Sequence, residues 1–424
     1  MKAASKKMSA HVKTGGRASG QRALELAAIG MEAEFQLTLN GKLTQVEALF
    51  SDPRSFIRGN LMHRLGTSYH LPTGGAVYFD TGVVEIATPV IEIERGCAAR
   101  AGRSLWESIL YVRTEMDEWG QRTGNRTALT GFSAHYNVSF ELNARQQGKN
   151  RTLQKLALLL SYILPVPVMI LAANRQSTGI GVRPRGDRIE VTVDFTPSSS
   201  LMIATGTLIT GVVREVMKWP SFELQTLRRR GLPILQGFKP IPHTTRRGWL
   251  AHINSYPRNP FTCDIDSPEW KLVKQPNVRH RRANSTGGRR LSLREIGYRT
   301  FRSFWRPVAR ISDPFTYRLI ASVLQGRAPS LLDLPDRPPE YEDVGRLCRW
   351  ENLFPARAIA RSRYERVLIR AISGRKLRIA GGGYTPMGMR GWSRVIFRRD
   401  GDGSRHVFSI DFLLNHLDDW ERSG

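Results

Sequence analysis

The sequence predicts a mixed α+β protein: one large domain whose sheet keeps a face open for a site, followed by a small C-terminal domain. Two observations lead there. Strand-like runs with alternating side chains recur between stretches of helical spacing. A tight hairpin over residues 76–87 also sets Tyr78, Asp80 and Glu85 among apolar neighbours, where an unpaired carboxylate is costly to desolvate. With 424 residues, 41% of them hydrophobic, the chain can bury a large core and is long enough for two domains.

Residues 1–20, MKAASKKMSAHVKTGGRASG, are small and basic with no apolar centre. They read as a disordered tail and not as a secretory signal. Residues 24–38 read as a strand whose second half alternates cleanly, Asn40 and Gly41 make a turn, and 44–50 begins a helical pattern. In the hairpin, strands 76–79 and 83–87 flank Asp80, Thr81 and Gly82. Asp can hydrogen-bond its own backbone there, and Gly tolerates positive φ. Residues 98–119 have helical spacing, with Leu105, Ile109, Val112 and Met116 on one face. Residues 134–142 alternate as a strand. The longest apolar run, 156–173, is interrupted by Pro165 and Pro167 and followed at once by Asn174 and Arg175. It reads as a helix over 151–164 and then a buried strand, with no transmembrane segment. A strand at 188–195 and a long apolar helix at 200–219, carrying Gly206 and Gly211, close the strongly patterned part.

Beyond Trp219 the pattern weakens. Residues 277–290, NVRHRRANSTGGRR, read as a basic turn region and 291–305 as a helix. The glycine- and proline-rich stretch 326–340 reads as a linker between a large domain at 21–325 and a small domain at 341–424. The small domain shows a helix near 356–373, a glycine run at 381–383 and a strand at 392–398.

Lysine and arginine number 64 against 37 acidic residues, a formal net charge of +27. That field favours an acidic partner: nucleic acid, an anionic membrane or an acidic protein. The three cysteines, Cys97, Cys263 and Cys348, are too scattered for a disulfide framework or a zinc site, so a reducing cytoplasmic location is expected.

Four strand-borne groups suggest a site. Glu32 and Glu34 are two apart, so both carboxylates leave one face while Ala33 and Phe35 turn inward. His135 and Asn137 repeat that geometry, as do Arg188, Glu190, Thr192 and Asp194. Tyr78, Asp80 and Glu85 form the fourth group. Carboxylates and an imidazole converging on one face suit a hard divalent cation, Mg2+ or Mn2+. Neighbouring arginines suit phosphate. Any one of these strands alone could be a solvated face, and Asp80 alone could be a hairpin turn residue. The four in sequence favour a site.

Their order resembles the glutamine-synthetase-like carboxylate-amine ligase superfamily. Residues 131–139, GFSAHYNVS, resemble its Gly-x-x-x-His-x-Asn strand, and 174–190, NRQSTGIGVRPRGDRIE, its Asn-Arg-x-Ser to Arg-x-Glu segment. Within it the chain is most similar to the Pup ligase and depupylase family, the proteasome accessory factor type. Residues 30–35 match Gly-x-Glu-x-Glu-Phe, and Thr73 to Asp80 followed by Val84 to Thr88 resemble the family's hairpin. So do 288–299, GRRLSLREIGYR, and Trp392 with its strand. Three features depart from the pattern. Ala76 stands where the family has a phosphate-binding arginine, Thr73 replaces an asparagine, and the turn before Glu85 is a residue shorter.

The resemblance implies a glutamine-synthetase-like antiparallel sheet with helices packed on one face. It implies metal ligation by Glu32, Glu34, Tyr78, Glu85, His135 and Glu190, and Asp80 as general base. Nucleotide would lie near Thr88, Arg183, Arg188 and Trp392. The expected activity is an ATP- and Mg2+- (or Mn2+-) dependent carboxylate-amine ligase, activating a glutamyl carboxylate as an acyl phosphate for isopeptide formation with lysine. The partner would be an acidic protein modifier or a glutamate-ended peptide, with a protein lysine as acceptor. Two alternatives stay open: a deamidase or isopeptidase of the same fold, and a basic nucleic-acid-binding protein on a degenerate enzyme fold.

Overall fold

The structure, a computed structural model, describes residues 27–139, 150–185, 188–243, 248–273, 289–333 and 361–422. The expected basic tail, most of the 277–290 turn region, the linker beyond residue 333 and Cys348 lie outside the described residues.

The alternation of the first strand sets the layering of the molecule. In β1 (Ala28–Leu39), Ile29, Met31, Ala33, Phe35 and Leu37 are at most 1% exposed and enter the main core. Gly30, Glu32, Glu34 and Gln36 take the other face, as a period of two requires. Then come β2 (Lys42–Thr44), the one-turn helix α1 (Val46–Leu49), β3 (Met62–Leu65) and β4 (Ser68–His70). The expected hairpin forms from β5 (Ala76–Asp80) and β6 (Val83–Ala87). Thr81 and Gly82 at its tip have φ of 54° and 92°, the two positive values a type I′ turn needs. Strand β7 (Ile91–Glu92) leads into the long helix α2 (Cys97–Thr123), and β8 (Thr127–Ser139) returns beside β1.

Helix α3 (Asn150–Ile163) ends where expected, but the next segment is a second helix, α4 (Pro165–Ala172), and not a buried strand. It is bent 59° from α3. Prolines in a first helical turn cost no hydrogen bond, because those N–H groups have no intrahelical acceptor. All eight residues are buried, so the segment carries no periodicity to separate helix from strand. Among the described residues no single helix is long and apolar enough to cross a membrane.

The main domain continues through β9 (Gly179–Pro184), β10 (Arg188–Asp194), α5 (Ser199–Val216), α6 (Leu224–Arg229), β11 (Ile241–Pro242) and β12 (Trp249–His252). The strands form one antiparallel sheet of twelve, in the order β11-β12-β9-β10-β8-β1-β6-β5-β4-β3, with β2 and β7 also paired to β1. Helices α2 and α5 cover its apolar face. Outside them pack α7 (Leu293–Ser303), α8 (Trp305–Ile311) and α9 (Pro314–Leu324). A Cβ at Gly211 would come within 2.9 Å of the Val308 Cα, so glycine there lets α5 and α8 cross this closely.

A separate, smaller antiparallel sheet follows α10 (Arg363–Ile372): β13 (Leu377–Ile379), β14 (Gly382–Arg390), β15 (Arg394–Arg399) and β16 (Arg405–Ser409). With α11 (Ile410–Asn415) and α12 (Leu417–Arg422) it encloses its own core around Leu368, Phe397 and Trp420. It docks on the main body through a buried ion pair, Arg103 Nη2 to Glu365 Oε1 at 2.5 Å. The Tyr364 N–H also donates to Glu92 Oε1 at 3.0 Å.

Candidate active site

Side chains directly opposite one another on paired strands share a face, so register alone assembles three rungs across the open side of the sheet. One rung reads Tyr78, Glu85, Glu34, Ser133, Asp194. The next reads Ala76, Ala87, Glu32, His135, Thr192. The third reads Gly30, Asn137, Glu190, Arg183. The expected Glu32, Glu34, Tyr78, Glu85, His135 and Glu190 therefore fall on adjacent rungs.

His135 is the hinge of the cluster. Its Nδ1 lies 3.2 Å from Glu32 Oε2 and 3.9 Å from Glu85 Oε1, while its Nε2 lies 3.4 Å from Glu34 Oε1. Donor atoms of Glu32, His135 and Glu190 lie within 4.8 Å of one another, and so do those of Glu34, Glu85 and His135. Ser133 Oγ donates to Glu34 Oε2 at 2.5 Å, and Tyr78 Oη donates to Glu85 Oε1 at 2.6 Å.

Crowding the carboxylates drives their proton affinities apart. Burial, then the Glu32 charge, pushes Glu85 up to about 8. Burial also works against the charge on Glu32, but the hydrogen bond and charge of His135 outweigh it and hold Glu32 at about 2. Burial opposes the imidazolium of His135 as well, yet Glu32 and Glu34 raise its proton affinity above the ordinary range. Burial and the surrounding carboxylates raise the Tyr78 phenol well above its usual value. The cluster thus favours charge on Glu32 and proton retention on Glu85, His135 and Tyr78.

A hard divalent cation fits this donor set. Glu32, His135 and Glu190 form one set of oxygen and imidazole donors, and Glu34, Glu85 and His135 form a second that shares the imidazole. Glu190 fits less directly. Both its oxygens face guanidiniums, Arg185 at 2.7 and 3.0 Å and Arg183 in closer contact. Tyr78, still carrying its proton, serves Glu85 before it could serve a metal.

The expected general base, Asp80, ends β5 two residues beyond Tyr78 on the same face, half-buried, and accepts from Thr81 Oγ1 at 2.9 Å. Arg188 Nε donates to Asn137 Oδ1 at 2.8 Å on the third rung. Arg183 is buried and also donates to Thr192 Oγ1 at 3.1 Å. Thr88 is buried as well, and its Oγ1 accepts from the Met31 N–H at 2.9 Å. Trp392 comes from the small unit's β14–β15 turn and stacks edge-on against His70, with centroids 4.7 Å apart.

Sequence reasoning missed Arg64. Its guanidinium lies 5.6 Å from the Tyr78 ring centroid and 4.8 Å from that of Trp392, while its Nε is buried with no hydrogen-bond partner among the described residues. It ties the small unit's aromatic edge to the carboxylate cluster. Nothing in residues 62–65 alternates strongly enough to mark it. Ser133 was within reach of the reasoning, since it continues the same-face series of His135 and Asn137. Asp194 turned out to anchor the loop before β9, accepting from the Asn174 N–H and Ser177 Oγ.

Fold and site together define an open-faced antiparallel sheet that holds a buried carboxylate–imidazole cluster. No family model matches the chain, and no curated protein matches its sequence. Among solved structures the chain is similar to the crystal structure of the complex between Prokaryotic Ubiquitin-like Protein Pup and its ligase PafA. The alignment covers 94% of this chain and 93% of that one, with 12% identity and a TM-score of 0.47. At that distance any functional reading rests on the site itself.

Proposed function

We propose that the chain is an ATP-dependent carboxylate-amine ligase using Mg2+ or Mn2+, which activates a glutamyl carboxylate and joins it to a lysine. The observation that carries this reading is the pair of overlapping donor sets meeting at His135. Glu32, Glu34, Glu85 and His135 would hold the cation, with Glu190 joining once a guanidinium lets go and Tyr78 steadying Glu85. When bound, the cation supplies charge neutralisation for the nucleotide phosphates.

The chain's own residues do the rest. Arg188 and Arg64 would bind phosphate oxygens, and Trp392 would border the nucleotide. Thr88 and Arg183 would keep Met31's backbone and Glu190 in position beneath it. The substrate carboxylate attacks the γ-phosphorus, ADP leaves, and an acyl phosphate results. A lysine ammonium must lose a proton before it can attack the acyl carbon and expel phosphate. Asp80, half-buried at the rim, is placed to accept that proton. The glutamyl donor would be an acidic protein modifier or a glutamate-ended peptide, drawn by the chain's +27 charge.

The test is ADP formation with an acidic glutamate-ended peptide and a lysine acceptor. Stimulation by the peptide is expected. Asp80→Asn should cut product formation by roughly 10²–10⁴-fold with nucleotide affinity kept, and Glu32→Gln should weaken Mg2+-nucleotide binding itself. Turnover by Asp80→Asn at the parent rate would remove the general-base role. No ADP formation with any carboxylate peptide would remove the ligase reading.

A further inference from the structure

On the far side of the helical layer from the carboxylates, α7 and α9 enclose a cleft of about 660 Å³. Its apolar lining is almost wholly aromatic, from Tyr298, Phe301, Trp305 and Tyr317, with Ala321 the one aliphatic contributor. Phe301, 2% exposed, is the buried backing of the wall, its ring 6.3 Å from half-buried Tyr298 and 5.5 Å from half-buried Tyr317. Trp305 is 48% exposed at the mouth, with the Arg306 guanidinium 5.2 Å over its ring. The charged lining is Arg302, Arg318 and Arg327, all exposed, and among the described residues no carboxylate lines the cleft.

The imbalance extends along the helices. Residues 293–327 carry seven arginines and two carboxylates, and both carboxylates are engaged. Glu295 pairs with Arg299 at 2.8 Å, and Asp313 caps α9 by accepting from the Thr316 N–H at 2.9 Å. Arg302 and Arg318 form no ion pair with any described residue.

We propose that this cleft binds single-stranded nucleic acid, its rings stacking unpaired bases and its arginines holding the phosphates. Two features choose that partner over an acidic protein segment. An acidic helix seats aliphatic side chains in an aliphatic groove, whereas this wall offers the accessible rings of Trp305, Tyr298 and Tyr317, which accept any base. Planar guanidiniums beside rings also serve phosphate and base alike. Base pairing would hide the base faces, so duplex should bind less well than a single strand.

The test is fluorescence anisotropy of the full chain with a labelled 15-nucleotide poly-dT, read across a salt series. The proposal expects Trp305→Ala to weaken binding roughly 5- to 150-fold, the usual loss for one stacked base. Arg302→Gln with Arg318→Gln should lower the salt slope by about 1.4, for two lost phosphate contacts. The control pair Arg378→Gln with Arg394→Gln, exposed on the small sheet, removes the same charge elsewhere. It should change neither affinity nor slope by a comparable amount. Circular dichroism of each variant establishes that it is folded. Equal losses in cleft and control pairs would overturn the proposal, because binding would then follow net charge. So would absent binding, duplex binding as tight as the single strand, or a glutamate-rich peptide that binds the cleft where poly-dT does not. ATP turnover with the peptide pair is a separate readout, so failure of the ligase reading and failure of this one are distinguishable.

Discussion

Glu85 and His135 both hold protons more tightly in the folded chain than they would free, and that has a sign for stability. Glu85 rises from 4.5 to about 8. Between those values the folded state binds more protons than the unfolded state, so stability falls as pH rises. His135, also raised, loses its contribution in the same direction. Glu32, held at about 2, acts oppositely but only at acid pH. In EDTA the denaturation midpoint should therefore drop between pH 5.5 and 8.5, and Mn2+ should restore it at pH 8.5. Cation affinity should climb toward pH 8, because binding displaces protons from the cluster. A midpoint indifferent to pH and to Mn2+ would show that the cluster is not a cation site. Arg64 gives a second residue-scale prediction. On the ligase reading, Arg64→Ala should weaken nucleotide binding by about 1.5–3 kcal/mol, the value of a hydrogen bond to a charged group. Calorimetry against Arg54→Ala, an exposed arginine paired with Asp52, supplies the comparison.

At the scale of elements, the β5–β6 hairpin combines the strand that carries Tyr78 and Asp80 with a strained turn. Thr81 sits at φ 54°, a conformation that β-branched residues disfavour. Thr81→Asn supplies the residue type that type I′ turns prefer and should stabilise the chain by on the order of 1 kcal/mol. It also replaces the hydroxyl that donates to Asp80. A gain in melting temperature together with lower ligase turnover would indicate that the strain serves Asp80's placement. A gain with turnover unchanged would assign the strain to the turn alone.

At the scale of the whole molecule, the small unit is held against the sheet by the Arg103–Glu365 pair, and it carries Trp392 to the rim of the site. Arg103→Leu leaves Glu365, completely buried, without its cation, and should cost about 3–5 kcal/mol. Glu365 also caps α10 by accepting from the Ser362 N–H, so the loss should first loosen the small unit. Limited proteolysis should cut the variant between the two cores before the main sheet unfolds. Simultaneous unfolding of both units at the parent midpoint would mean the pair is not what docks them.

Alternation along residues 30–36, 76–87, 133–137 and 188–194 sufficed to predict which side chains share a face, because a strand's period of two depends on no neighbour. The face and the cluster's chief members were therefore legible, as were α2, α5 and the central hairpin. The sequence could not say which strands adjoin. Register across β6, β1, β8 and β10 brings Glu85, Glu34, Glu32 and His135 into one group, and long-range pairing decides register. The same limit hid α4, whose uniform burial erases any period, and the guanidiniums on Glu190, which arrive from a neighbouring strand and from just beyond its end. Arg64 and Trp392 lie more than 300 residues apart in the chain. Only the docking of one core against another sets them side by side.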